Sequence, residues 1–330
     1  MEEKGLSIYA PVIIPTVNRY NHFKECLESL SRCTWADKTD VFVAVDYPGK
    51  EEHWDGYRKI VEYLKHCGDL GFHSLNVTYR EENYFYSGKG NASSLIRDIS
   101  KTYNHYIFSE DDNVFSPNFL EYINKGLEKF EDDPQVVAIC GYCHPTQFKC
   151  DGGAFAQSIN YSAWGYATWI EKNNCFVKDL NKHFFKKVFY SPSKMYKIAQ
   201  TGWGRVLNVI HNSTADYVTR ADYNYSMLML LNDKVMIMPQ ITKVKNMGWD
   251  SLSVHNNAVT PQLNERAHLE MSRTMDAETH FEYSGDVYAY KRDNDQIMIT
   301  FGKQHRLNDS LYFKIVVIIK FLIRFILFWR

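Results

Sequence analysis

The first 140 residues alternate short apolar segments with amphipathic ones, and this alternation restricts the fold more than any other feature. Residues 7–16 carry Ile8, Val12, Ile13 and Ile14, punctuated by Pro11 and Pro15, and read as a strand. A polar turn follows, after which Phe23, Cys26, Leu27 and Leu30 recur at helical spacing. Residues 40–46 form a nearly continuous apolar strand ending in Asp46. Residues 54–65 read as a helix closing near Gly68, and residues 75–80 as a third strand. Residues 88–99 place Leu95, Ile96 and Ile99 on one helical face, residues 106–108 return to strand, residues 118–130 to helix and residues 136–140 to strand. The expected fold class is α/β, a mixed, mainly parallel sheet flanked by helices on both faces. Such sheets bind ligands outside the carboxyl ends of their strands. Arg19, Asp46 and the run Glu110-Asp111-Asp112 all lie just past an expected strand end, so they should converge on one crevice.

Three adjacent carboxylates repel one another unless something cationic sits among them. Hard oxygen ligands suit Mg²⁺ or Mn²⁺, ions commonly held by one or two carboxylates together with substrate phosphates. The triplet could equally be a solvated acidic turn, but its place after a buried strand favours a metal site for a phosphate-bearing substrate. The run Gly88-Lys89-Gly90-Asn91 lacks the spacing of a phosphate-binding loop. Cys140-Gly-Tyr-Cys-His144 matches a haem-attachment pattern only superficially, since that chemistry belongs to export compartments and the acidic start Met1-Glu-Glu-Lys4 has no apolar run behind it. With seven Cys in no framework spacing, free thiols in a reducing cytoplasm are expected. A net charge of −1 argues against nucleic acid as a partner.

Further along, Ala163-Trp-Gly-Tyr-Ala-Thr-Trp169 groups rings around a glycine, either as a core cluster or as a platform for a sugar face, with Gly165 suggesting close backbone approach to a ligand. Asp222 precedes the apolar helix 227–231 and is placed either to cap it or to act as a base. Residues 236–242 read as a strand. Residues 243–255 then gather Lys243, Lys245, Gly248, Trp249, Asp250 and His255 in a loop suited to an anionic substrate.

In this order the residues resemble GT-A glycosyltransferases. The likeness is to the N-acetylglucosaminyltransferase I type and its bacterial relatives, in which an EDD triplet replaces the usual DXD, and it spans roughly residues 8–255. The resemblance implies that Arg19 contacts the pyrophosphate, Asp46 reads the nucleotide base, and Asp112 holds Mn²⁺ or Mg²⁺, with Glu110 and Asp111 towards ribose and sugar. It assigns Trp164 and Tyr166 to the acceptor side. It makes Asp222 the general base, with Asp250 the other candidate. Lys245 would assist at the diphosphate, and His255, which closes that loop, would be a second metal ligand. The implied activity is metal-dependent, inverting transfer of a hexosyl or N-acetylhexosaminyl group from a UDP- or GDP-linked donor to a glycan acceptor. A sugar nucleotidyltransferase and a non-catalytic glycan-binding protein of the same fold are the alternatives. The former normally carries a glycine-rich N-terminal loop, and residues 15–21 contain no glycine.

The expected organisation is a catalytic domain over residues 1–255, with a nucleotide-sugar half to residue 140 and an acceptor half beyond it. A polar linker, residues 256–306, includes a strand-like stretch at 296–301. A basic amphipathic helix, residues 307–330, completes the chain. Lys314, Lys320 and Arg324 interrupt an apolar run that is long enough to span a bilayer. A charge at the centre of a span costs about 2.5–3.5 kcal/mol. The helix is therefore expected to lie on an anionic membrane surface at the cytoplasmic face, where a lipid-linked or surface-polysaccharide acceptor would be met.

Overall fold

The computed structural model describes residues 9–178, 180–201, 221–249 and 261–304, together with Ile318, Ile319, Leu322, Ile323 and Ile326. Strand β1 (Val12–Thr16) leads into helix α1 (Tyr20–Ser31), followed by β2 (Asp40–Val45), α2 (His53–His66), β3 (Ser74–Tyr79), α3 (Asn91–Ile99) and β4 (His105–Phe108). Next come β5 (Asn113–Phe115), α4 (Phe119–Lys129), β6 (Val136–Cys140), β7 (Ala154–Gln157) and β8 (Tyr166–Trp169). Helices α5 (Ile170–Val177), α6 (Lys182–Phe189), α7 (Pro192–Gln200) and α8 (Ala221–Leu231) precede β9 (Val235–Pro239) and β10 (Val244–Asn246). Helices α9 (Pro261–Ser272) and α10 (Lys291–Gln304) follow.

Eight strands form one sheet in the order β3-β2-β1-β4-β8-β6-β9-β7. Strands β1 to β4 pair in parallel, as do β6 and β9, whereas β8 and β7 run against their neighbours. The mixed, mainly parallel sheet flanked by helices agrees with the expected fold class. Strand β2 is buried along nearly its whole length, which explains its continuous apolar sequence. Helix α1 buries Phe23, Cys26, Leu27 and Leu30, the residues that recur at helical spacing. Each large apolar side chain so placed stabilises the fold by roughly 1.5–3 kcal/mol. Strands β5 and β10 form a separate antiparallel ribbon. It carries residues 244–246 back to the end of β4, where the triplet lies.

Two stretches differ from their sequence reading. Residues 296–301 belong to α10 and are helical. The buried residues Asn294, Met298 and Phe301 recur every three or four positions and set a helical face, despite the β-branched residues among them. Residues 276–290 are also more than a linker. The buried Lys243 ammonium pairs with Asp276 at 2.5 Å and sits 4.5 Å from the Phe281 ring centroid. Tyr283 stacks on Tyr122, and Ala156 N donates to Val287 O. These contacts fasten the segment to α4 and to β7. Cys140 and Cys143 are buried free thiols, and burial pushes the Cys140 thiol up to about 12.

Candidate active site

The site lies at the carboxyl ends of β2, β1 and β4. The parallel ladder extends one step past each strand: Asp46 N donates to Thr16 O, Ser109 N to Ile13 O, and Arg80 N to Val45 O. Strand β4 thereby delivers Glu110, Asp111 and Asp112 beside the turn that follows β1. Helix α2 braces that turn through Gly56, where a Cβ would lie only 1.7 Å from Asn18 O. Arg19 follows and is held in place at the start of α1.

The Arg19 guanidinium bridges two of the three carboxylates. One nitrogen reaches Asp112 Oδ2 at 2.5 Å, and the other binds Asp111 Oδ1. Thr16 Oγ1 donates to Asp111 Oδ2 at 2.7 Å, and Asn246 Nδ2 donates to Asp112 Oδ1 at 2.6 Å. Glu110 turns the other way and accepts from Trp164 Nε1 at 3.1 Å. Burial raises the Glu110 carboxyl well above its usual range, and the charges of Asp112 and Asp222 push it the same way. Burial also raises Asp111, against the opposing pull of Arg19. For Arg19, burial works against the charged form, but the attraction of Asp111, Asp112 and Glu110 outweighs it and raises the pKa. One guanidinium against three carboxylates leaves the cluster short of positive charge.

The return of the chain through β10 closes the cluster from the other side. Asn246 is aimed at Asp112 and Asn113, and Met247 N donates to Asp112 O at 2.8 Å. Gly248 passes so close that a Cβ would stand 2.0 Å from Asp112 Oδ2, so this backbone path requires glycine. Trp249 is tied back to Asn246 O through Nε1, and its ring lies edge-on to Trp164 at a centroid distance of 6.2 Å. Tyr142 makes a further edge contact with Trp164 at 4.7 Å. An aromatic wall thus stands beside Glu110. Thr16 and Asn246 escaped the sequence reading, and Trp249 was noted there only as part of the loop 243–255. The only signal for the last two was the Asn-Met-Gly-Trp stretch itself.

Asp222 occupies the first turn of α8. The helix start is fixed by Ser226, whose Oγ donates to Asp222 O at 2.6 Å and accepts from Tyr161 N at 2.9 Å. Asp222 is open to solvent yet recessed among packed atoms, and this desolvation raises its carboxyl to about 6. Its charge is near enough to be felt at Glu110.

The remaining expected residues fall in varied places. Asp46 is buried, and its carboxylate accepts the backbone N–H groups of Tyr47, Tyr84 and Phe85, so it also organises the loop after β3. Within that loop Lys89 pairs with Glu82, and Gly88 and Gly90 adopt positive φ as turn residues. Lys245 pairs with Val114 across the ribbon, and strand alternation puts its side chain on the face opposite Asn246. Arg19 is the cation paired with Asp112. Tyr166 is buried among Tyr106, Phe108 and Tyr161 and belongs to the core rather than to an open surface. Gly165, at φ +64°, makes its close approach to Val244 and Phe119 and not to a ligand space. His255 and Asp250 lie outside the described residues.

Among the described residues no three His, Cys, Asp or Glu side chains form a metal-holding group. The donor chemistry nevertheless fits a hard divalent ion of the kind that completes its shell with substrate phosphates. The carboxylates are adjacent, desolvated and short of positive charge, and Arg19 is a cation already standing between two of them.

No family model matches this sequence, and no curated protein matches it. Among solved structures, the chain is similar to the mannosyltransferase PcManGT from Pyrobaculum calidifontis in complex with GDP-Man and Mn²⁺. The identity is 16%, over 69% of this chain and 70% of that one, with a TM-score of 0.36. It is also similar to residues 1–349 of TarS from S. aureus, at 14% identity over 70% of this chain and 58% of that one, with a TM-score of 0.39. Likeness at this level leaves the chemistry to the residues themselves.

Proposed function

We propose that this chain is a glycosyltransferase that moves a sugar from a UDP- or GDP-linked donor to a glycan acceptor with inversion. The observation that carries the reading is the cation-deficient cluster Arg19, Asp111 and Asp112 at the carboxyl edge of parallel strands, with the recessed Asp222 within electrostatic reach of Glu110. Displacement at an anomeric carbon makes two demands. Charge growing on the leaving diphosphate must be neutralised, and the attacking hydroxyl must lose its proton on the opposite face. Arg19 serves the first demand and Asp222 the second. Trp164 and Trp249 offer flat apolar faces to a sugar ring. Asp112 would hold Mn²⁺ or Mg²⁺, which when bound supplies Lewis-acid charge at the diphosphate oxygens. A nucleotidyltransferase has less support, because the end of β1 and the turn after it bring only the Thr16 and Arg19 side chains to these carboxylates among the described residues.

Titration calorimetry tests the cluster directly. The wild-type chain should bind a nucleoside diphosphate in the presence of Mn²⁺. Asp112→Asn should weaken that binding by more than the 10–100-fold (order of magnitude) typical of losing a mere outer-shell partner. Equal affinity in the two proteins would remove Asp112 from the site.

A further inference from the structure

Strand β8 runs against both β4 and β6, so β6 ends at the same edge of the sheet as the carboxylate triplet. The run Cys140-Gly-Tyr-Cys-His144 leaves the sheet there. Gly141 N donates to Gly165 O at 2.7 Å, and Lys243 N donates to Gly141 O at 2.8 Å. The next residue, Tyr142, is fully buried. Its ring stands edge-on to Trp164, at a centroid distance of 4.7 Å and an angle of 82°. Trp164 Nε1 in turn donates to the Glu110 carboxyl at 3.1 Å.

What holds Tyr142 comes from 128 positions further on. Helix α9 brings in Glu270, which is 0% exposed and accepts a hydrogen bond from the Tyr142 hydroxyl. Arg273, just past the end of α9, reaches Glu270 at 3.4 Å and donates to Cys143 O at 2.5 Å. Its guanidinium lies 5.4 Å from the Tyr142 ring centroid. Glu270 and Arg273 thus grip adjacent residues of one loop, the first by a hydroxyl and the second by the backbone. A buried ion pair adds little net stability, and apolar side chains of similar volume usually serve as well. What the pair adds is direction. The carboxylate fixes where the Tyr142 hydroxyl lies, and the hydroxyl fixes the plane of the ring. An edge-to-face contact depends on that plane, so the Trp164 ring is held where its N–H meets Glu110.

We propose that Glu270, with Arg273, is a positioning residue of the candidate site. It acts through Tyr142 on Trp164 and so sets the orientation of the Glu110 carboxyl. The inference deepens the glycosyl-transfer reading and rests on it for the kinetic consequence alone.

Two measurements on the full chain test it, and one of them needs no turnover. In protein carrying isotope-labelled tryptophan, the indole N–H signal of Trp164 is identified by its loss in Trp164→Phe. Tyr142→Phe removes a single buried oxygen, and it should shift that signal and speed its exchange with solvent. Glu270→Leu should do the same. Glu270→Gln, which still offers an oxygen to the hydroxyl, should fall between Glu270→Leu and the wild-type chain. In sugar transfer, Tyr142→Phe should lower kcat by about 10–100-fold, the loss usual for an outer-shell partner. Mn²⁺-dependent affinity for a nucleoside diphosphate should stay at the wild-type level, because Arg19, Asp111 and Asp112 keep their contacts. In a Trp164→Phe background, Tyr142→Phe should lower kcat no further. A Trp164 signal left unmoved by both Tyr142→Phe and Glu270→Leu overturns the proposal. So does a lower melting temperature with wild-type exchange and wild-type kcat, because the network would then serve stability only. A wild-type chain that cleaves no donor defeats the glycosyl-transfer reading instead, and the exchange result then decides the positioning role by itself.

Discussion

Asp222→Asn is expected to lower kcat/KM by about 10²–10⁴-fold while leaving donor affinity intact, the loss usual for a positioned general base. The substitution keeps the shape of the side chain and removes only its ability to take a proton. Desolvation by the surrounding packed atoms raises the Asp222 carboxyl to about 6, so the group is a stronger base than a fully hydrated aspartate and still ionised at neutral pH. The pH dependence follows from that value. Below about 6 the carboxylate is increasingly protonated, and wild-type kcat/KM should fall with acidity. Above it the rate should level off. The residual rate of Asp222→Asn should lack this step. A variant that kept near-wild-type turnover, or the same acid limb, would remove Asp222 from the role.

Arg19→Met is expected to act on stability as well as on binding. Arg19 is the only cation bridging Asp111 and Asp112 among the described residues, and both carboxylate side chains are only 5% exposed. Removing one partner of a buried ion pair typically costs about 3–5 kcal/mol. The lower end applies here, because the Arg19 side chain keeps 17% of its surface open. At about 2–4 °C per kcal/mol for a large domain, the melting temperature should drop by roughly 6–12 °C. Arg19→Lys should recover only part of this, since a point charge does not span two carboxylates as a planar fork does. Without Arg19 the pKa values of Glu110 and Asp111 should rise beyond their already elevated positions. The folded state then binds more protons than the unfolded chain, so stability should increase as pH falls through that window. Added Mn²⁺ should likewise restore stability at neutral pH. Thermal melts of both variants across pH, with and without Mn²⁺, read all of these effects.

Much of this arrangement was legible in the residues. The strands and helices up to β6 announced themselves, apart from the short β5, because their apolar residues keep one period or the other. The carboxylates and Arg19 were legible because they interrupt the chain at strand ends. Strands β7 and β8 were not, since each has four fully buried residues and no alternation to betray it. Gly165 was misjudged for a similar reason, because sequence cannot tell close approach to a ligand from close approach to Phe119 and Val244. Asn246 reaches Asp112 from 134 positions away through the β5–β10 ribbon, a pairing that no local pattern encodes. Lys245 attracts notice by its charge, yet pleating turns it from the site and turns its neutral neighbour towards it. The fold of residues 276–304 depended on partners such as Lys243 and Tyr122, so a polar stretch read as a linker.

The most direct test of the central claim is release of nucleoside diphosphate from UDP- and GDP-sugars by the full chain with Mn²⁺. The account predicts that at least one donor yields its nucleoside diphosphate slowly in water and faster with a suitable glycan acceptor. A chelator and Asp112→Asn should both suppress that release. If no donor of either series is cleaved or bound, or if the chain instead releases pyrophosphate from a nucleoside triphosphate and a sugar phosphate, the assignment is contradicted.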